Sequence, residues 1–176
     1  MDYVVRGANC YFDTFNAWQV IDELEVPDLK RAMDKFTPGG HMIGVEFPEE
    51  FEPIAAHIKL KTDDPRIRGL CGKEPGNYST LTYYENLVSF RNGNNVGRVI
   101  TLTGLINEVK ADKRKGLKTA MTEYTFSTVV FYQDMVGGSV VHQFDYFAGP
   151  GATIINGSNP FSAQAANLAI GGGTVL

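Results

Sequence analysis

The residues that could support catalysis or metal binding are few and lie far apart. His41, His57 and His142 are the three histidines of this 176-residue chain, and no two have the spacing of a metal site. The patterns H-E-x-x-H, C-x-x-C and G-x-S-x-G do not occur. An enzyme that pairs His142 with Asp145 or Cys71 finds no support in their spacing. The sequence therefore predicts no catalytic centre, no metal site and no cofactor.

A glycine-rich segment, Gly149–Thr153, loosely resembles a phosphate-binding loop. No lysine follows where such a loop requires one, so we do not expect a nucleotide site. His57 alternates with lysines and is expected on a solvated strand face. His142 shares a face with Val140 and Phe144 and is expected to be hydrogen-bonded in the core.

The two cysteines, Cys10 and Cys71, are too few for a metal cage or a disulfide scaffold. Burial as reduced thiols is the simpler interpretation. The other interpretation is a disulfide between neighbouring subunits that forms in an oxidising medium. Both remain open at the level of sequence.

A basic segment contains Lys110, Lys113, Arg114, Lys115 and Lys118. It is either the solvated end of a hairpin or a loop that docks onto an acidic patch of a neighbouring subunit. The whole chain carries a net charge of −4. That charge argues against tight binding of nucleic acid, which depends on lysine and arginine, but not against DNA passing nearby.

The stretch that must position all these residues runs from Arg98 to Phe147. Its β-branched and aromatic runs predict two long antiparallel strands and a third that returns after a tight turn at Gly137–Gly138. Period-two spacing places one set of side chains on a common buried face. That set is Tyr124, Phe126, Val130 and Tyr132.

The rest of the chain predicts further strands around this meander and several short helical segments. Residues 28–36 have apolar spacing typical of a short helix. Residues 37–53 are rich in proline and acids and predict a long loop or protruding hairpin. The remaining elements are an extended segment over 9–26, a one-sided strand over 54–61, a short helix over 63–72 with Asp64 as its cap, a strand or strand pair over 78–90 with a turn at Asn92–Gly93, and a C-terminal helix over 161–170 that has Asn159 or Ser158 as its cap and ends at Gly171–Gly173.

Several segments, in this order and spacing, resemble the major tail tube proteins of contractile-tailed phages and the related R-type pyocin tubes. His41, inserted between Gly40 and Met42, and a Gly- and Ala-rich tail from Ala163 depart from the family pattern. The resemblance also implies a strand where the spacing over 28–36 suggests a helix, and we favour the strand. The matching segments are Asn9–Phe12, Leu24–Leu29, Met33–Met42, Thr101–Val109, Tyr124–Tyr132 and Ile154–Gly157.

The resemblance implies a mainly β, single-domain chain: an antiparallel β-sandwich or partial barrel with a short helix, in the tail-tube (Hcp-like) fold. Residues 1–14 would form an N-terminal arm, 37–53 an extended loop or hairpin, and 148–176 a C-terminal segment. Six copies would close into a β-barrel ring. Ring closure would satisfy sheet edges that are open in a single subunit. Candidate subunit contacts are Phe36, Gly39, Gly40, Met42, Phe47 and Phe51.

The implied function is a virion structural protein with no catalysis, which stacks as rings into the inner tube for genome ejection. Its implied partners are itself, the tail sheath protein, a tape-measure protein, and terminator and baseplate proteins, with DNA only as passing cargo. We expect assembly in the host cytoplasm and no membrane span. The alternatives are an Hcp-like tube of a secretion system and a monomeric β-barrel that binds a small apolar ligand.

Overall fold

Strands dominate the computed structural model, which describes residues 2–116 and 120–170. The longest strands coincide with the β-branched and aromatic runs, because such side chains suit a pleated, half-buried surface. The strands are β1 (Tyr3–Phe12), β2 (Phe15–Asn16), β3 (Ile21–Glu25), β4 (Arg31–Phe36), β5 (Val45–Phe51), β6 (Ala56–Leu60), β7 (Ser79–Ser89), β8 (Asn95–Ala111), β9 (Thr122–Val136), β10 (Ser139–Asp145) and β11 (Ile154–Ile155), and the helices are α1 (Pro65–Arg68) and α2 (Ser162–Asn167).

The main sheet is antiparallel and curls without closing. Its strand order is β11-β10-β9-β8-β7-β1-β2, and a branch adds β6 to β9 and β3 to β6. Strands β4 and β5 form a separate two-stranded sheet. The mainly β, partial-barrel architecture that we expected is therefore confirmed.

A bulge in β9 divides the main sheet into two halves. Thr128 has a positive φ of 50°, and a single β8 residue, Gly104, faces the irregular segment 128–130. Before the bulge, residues 122–126 of β9 pair with β6. After it, residues 131–136 pair with β10. Strand β9 therefore changes its outer partner at the bulge while it remains paired with β8 on its other side.

The core lies inside the curled sheet and is rich in aromatic residues. Phe12 packs against Tyr124 and Phe126, with ring centroids 5.9 Å apart in both pairs. Ile58 and Ile67 close the core from β6 and α1. Large side chains thus fill the space that a ligand-binding barrel would leave open.

Because of the bulge, the buried face of β9 differs from the predicted one. Tyr124, Phe126 and Tyr132 are fully buried, as predicted. Val130 is only half-buried, and Val129 packs against the core in its place. The left-handed conformation at Thr128 interrupts the period-two alternation, which the spacing of apolar residues alone does not reveal.

Two predicted elements differ from the structure. Residues 31–36 form strand β4 and not a helix, so the resemblance was the better guide there. The extended segment over 9–26 is not one strand: it divides into part of β1, β2, a turn and β3. Trp18 lies in that turn and is exposed.

The N-terminal segment and the two helices can be compared with the predicted bounds. Residues 3–12 of the predicted N-terminal arm form strand β1 of the main sheet. Helix α1 has Asp64 as its N-cap, as predicted, and ends earlier than Gly72. The helix α2 also begins later and ends earlier than predicted. The predicted stop at Gly171–Gly173 lies outside the described residues.

Candidate functional site

The β4–β5 hairpin presents apolar side chains to solvent. Register pairs Phe36 with Val45 and Phe47 with Asp34, so the three apolar side chains lie on one face. Phe36 is 60% exposed, Val45 is 57% exposed and Phe47 is 67% exposed. An isolated two-stranded hairpin is marginally stable in water at best, and apolar side chains of this size gain free energy when a partner covers them.

The root of the hairpin is held by the rest of the subunit. Phe51 contacts Phe144 of β10, with ring centroids 4.8 Å apart. The guanidinium of Arg31 lies over the Phe51 ring and donates two hydrogen bonds to the carbonyl of Glu49. The root of the hairpin is therefore anchored to the subunit. Because its apolar residues further out are exposed, the hairpin is an arm that can contact another molecule.

The structure places most of the candidate contact residues on this arm. Phe36, Met42 and Phe47 are exposed, and Met42 is completely so. Gly40, at the turn, has a φ of 87°, which glycine adopts without strain. Phe51 differs, because it is half-buried against Phe144 at the root and serves to hold the hairpin in place.

The main sheet leaves strand edges open. Over residues 3–9, β1 pairs with β7 on one side, and β2 reaches only Tyr11 and Phe12 on the other. Strand β3 pairs with β6 alone in the described part of the chain. Open edges expose backbone donors and acceptors that another strand can satisfy.

A cluster of charges lies at one end of the core. Arg98 donates to both carboxylate oxygens of Asp134 at 3.0 and 2.8 Å and to Glu85 at 3.3 Å. Both carboxylates are buried. The hydrogen bond with Asp134 raises the pKa of the Arg98 guanidinium. The guanidinium supplies an opposite charge and hydrogen bonds to both buried carboxylates, which offsets the free-energy cost of burying them.

Part of the basic segment belongs to a strand, and part of it is bound to the rest of the subunit. Lys110 lies within β8. Arg114 forms an ion pair with Asp63, which also binds Arg68. Lys113 and Lys115 are exposed, and Lys118 lies outside the described residues. Arg114 is therefore a candidate docking residue that instead attaches the loop to its own subunit near α1.

The two cysteines are free and have different surroundings. Cys10 is fully buried in the core, and burial raises its pKa to about 12. Cys71 is half-buried. A disulfide with a neighbouring subunit needs an accessible sulfur, so the burial of Cys10 does not support that interpretation for this residue.

The histidines lie in three separate places. His57 is half-buried, with Nδ1 3.2 Å from the hydroxyl of Thr125. His142 is half-buried and stacks on Phe144. Within residues 2–116 and 120–170, no group of three or more potential ligands could hold a metal ion. No helix in those same ranges is long and apolar enough to cross a membrane.

Comparison with known proteins agrees with this geometry. The model of the family "phage tail tube protein FII" matches residues 2–168. The fold is similar to the sheath/tube terminator of an extracellular contractile injection system (PVC) in its extended state. The TM-score is 0.51 at 8% identity, covering 74% of this chain and 91% of that chain. The sequence has no match among curated proteins. Because the family model spans nearly the whole chain, this protein belongs to the phage tail tube protein FII family.

Proposed function

We propose that this protein forms stacked hexameric rings, which build the inner tube of a contractile phage tail and conduct the genome during ejection. The observation that carries the proposal is the protruding β4–β5 hairpin with its exposed apolar face, in a chain of the tail tube family. The protein has a structural and not a catalytic role in this proposal.

Two kinds of contact follow from the geometry. The open edge of β1 pairs with the β10–β11 side of the next subunit and closes the ring, since antiparallel sheets extend through unpaired edges. The hairpin reaches the adjacent ring, where its apolar face is buried. The turn residues Gly39, Gly40 and Met42 belong to this second contact.

The other partners follow from the place of a tube in the tail. The sheath protein surrounds the tube, and a tape-measure protein occupies its channel during assembly. Terminator and baseplate proteins bind the two ends, and DNA passes through as cargo. Assembly takes place in the host cytoplasm, and the finished tube belongs to the virion.

Electron microscopy of the purified protein tests the proposal. We expect rings or tubes in negative stain, in increasing amount as the protein concentration rises. A protein that stays monomeric at high concentration would contradict the proposal and favour a self-contained β-barrel. The aromatic side chains in the core cluster argue against a ligand cavity in such a barrel.

A pair of substitutions on the hairpin tests the ring-to-ring contact. Phe36→Ser with Phe47→Ser removes most of the apolar face, so we expect folded subunits that no longer form tubes. The control is Glu46→Ser, which changes the opposite face of the same hairpin. Tubes of normal length from the double variant would refute the contact. Deletion of residues 41–52 is a poorer test, because it also removes Phe51 and strand β5.

The tube of a secretion or injection system is the second candidate. The structural neighbour comes from an extracellular contractile injection system. The content of particles that contain the tube decides between the two: phage particles would carry DNA, whereas an injection system would carry none.

A further inference from the structure

The two faces of the main sheet differ in charge in the half that follows the β9 bulge. This half contains β1, β7, residues 95–103 of β8, residues 131–136 of β9, and β10. Its core face holds buried side chains, among them the Arg98 cluster. On its other face, which we call the bare face, β7, β8 and β9 carry only threonine, tyrosine, asparagine, glutamine, glycine and apolar residues. The edge strand β1 carries one charged residue, Arg6, which is exposed in the irregularity of β1 opposite Asn86.

The polar residues of the bare face are partly exposed and form hydrogen bonds with one another. Thr80 and Thr103 hydroxyls lie 3.2 Å apart, and Gln133 donates to Gln143 at 2.7 Å. Tyr84 is 42% exposed there. Asp145, at the margin on β10, accepts hydrogen bonds from the backbone amides of residues 147 and 148. Its carboxylate is thus directed to the local turn.

The half of the sheet before the bulge has the opposite character. There the face turned away from the core carries acidic or basic side chains on every strand. Glu23 on β3 is opposite Lys59 on β6, which in turn is opposite Glu123 on β9. Glu108 and Lys110 continue this charged face on β8. Because charged and uncharged surfaces meet at the bulge, the two halves are suited to different surroundings.

Other elements of the subunit cover one face of the sheet, and this determines which face can point toward the axis of a ring. Side chains from β6 and α1 cover the core face, and Ile58, Leu60 and Ile67 lie in the same core cluster as Leu102. A sheet that closes around an axis has less room on its inner side than on its outer side. The covered face therefore fits outward, and the bare face fits inward.

On this basis, which rests on the proposed ring, we infer that the bare face lines the channel of the tube as a wall whose central strands carry hydroxyl, amide and apolar groups and no charged group. Its cargo is a hydrated polyanion. Phosphates are held on proteins by lysine and arginine, and the affinity depends on how many of these contacts form. The central strands of the bare face offer none, so a nucleic acid can slide along this wall without being held.

Accessibility of a cysteine in assembled tubes tests the inference. Thr101→Cys, in a Cys71→Ser background, places a thiol in the middle of the bare face on β8. We expect it to react in tubes with a small maleimide but not with maleimide coupled to gold particles that cannot enter a channel. In unassembled subunits both reagents should react, which provides the control.

Each other outcome has a distinct meaning. If Thr101→Cys in tubes reacts with both reagents, the bare face is on the outside, and if it reacts with neither, the face is buried between molecules. Either result overturns the inference while the proposed tube stands. If electron microscopy shows no tubes under any condition, the proposed function itself fails.

The neutrality of the wall has its own readout. Tubes of the parent protein should not retain duplex DNA at low salt, whereas Thr101→Lys tubes should retain it and release it as salt is raised. Retention by parent tubes equal to that of the lysine variant would overturn the neutral wall.

Discussion

At the scale of single residues, Arg98 is the side chain on which the charged end of the core depends. It is the cation that contacts both Glu85 and Asp134, and only 26% of its side chain is exposed. Arg98→Met should lower the free energy of unfolding by about 3 kcal/mol, because two buried carboxylates lose their partner. Urea unfolding at pH 7 measures the loss.

Lys30→Met is the matched control for Arg98→Met. It breaks the Lys30–Glu52 ion pair, whose side chains are 71% and 43% exposed. Solvent screens such pairs, so we expect a change of about 1 kcal/mol or less. Equal losses in the two variants would show that the Arg98 cluster is not a buried network.

Buried phenols make stability depend on alkaline pH. Burial raises the pKa of Tyr124 to about 12, from 10.0 in an exposed phenol. Between these values the unfolded chain loses the proton first, so the stabilising contribution is complete below pH 10 and is lost as the pH rises towards 12. Tyr83 and Tyr132 act in the same direction.

Tyr124→Phe isolates this effect. None of the described residues is a hydrogen-bond partner of the buried Tyr124 hydroxyl. The variant should therefore be as stable as the parent at pH 7, within about 1 kcal/mol. It should lose less stability than the parent between pH 10 and 12, as measured by urea unfolding across that range. A variant as sensitive to alkali as the parent would contradict the assignment.

At the scale of secondary-structure elements, the β8–β9 pair depends on a close approach at Gly104. A Cβ there would lie 2.9 Å from the carbonyl oxygen of Ser127 and 3.2 Å from that of Thr128. Both are backbone atoms, so the strands would have to move apart. Gly104→Ala should destabilise the protein by roughly 1–3 kcal/mol, as overpacked sites do. Thermal and urea unfolding provide the measurement.

Gly97→Ala is the control on the same strand. Its Cβ would meet nothing within 4 Å, and alanine restricts the unfolded chain more than glycine does. We expect unchanged or slightly higher stability. If both alanine variants behave alike, the bulge does not depend on a glycine at position 104.

Most individual elements could be predicted from local sequence, and the exceptions have physical causes. The turns at Gly93 and Gly137–Gly138 were correct because positive φ requires such residues. The β9 bulge was missed since it depends on the opposing strand at Gly104. Strand β4 has helix-like apolar spacing because both of its faces are exposed, and no buried side enforces a period of two.

At the scale of the whole molecule, the sequence predicted the family and the candidate hairpin but not the division of the outer sheet surface into a charged half and a half with uncharged central strands. Charges on Glu123 and Lys59 and neutral residues such as Thr101 and Gln133 all follow period-two alternation. Their separation into two surfaces becomes visible only when the bulge is known. For the same reason the sequence could not show that Arg114 binds Asp63, which lies 51 positions away.

Because β9 is one continuous strand that pairs with β10 after the bulge and with β6 before it, its covalent backbone connects the two halves directly. A mechanical load applied to one half is passed to the other as tension along peptide bonds, and side-chain packing does not have to carry it. In the proposed tube, a load along the tail axis should therefore meet resistance to shear between the two halves of each subunit, and the tube should yield first where only hydrogen bonds or side chains join a subunit to its neighbours.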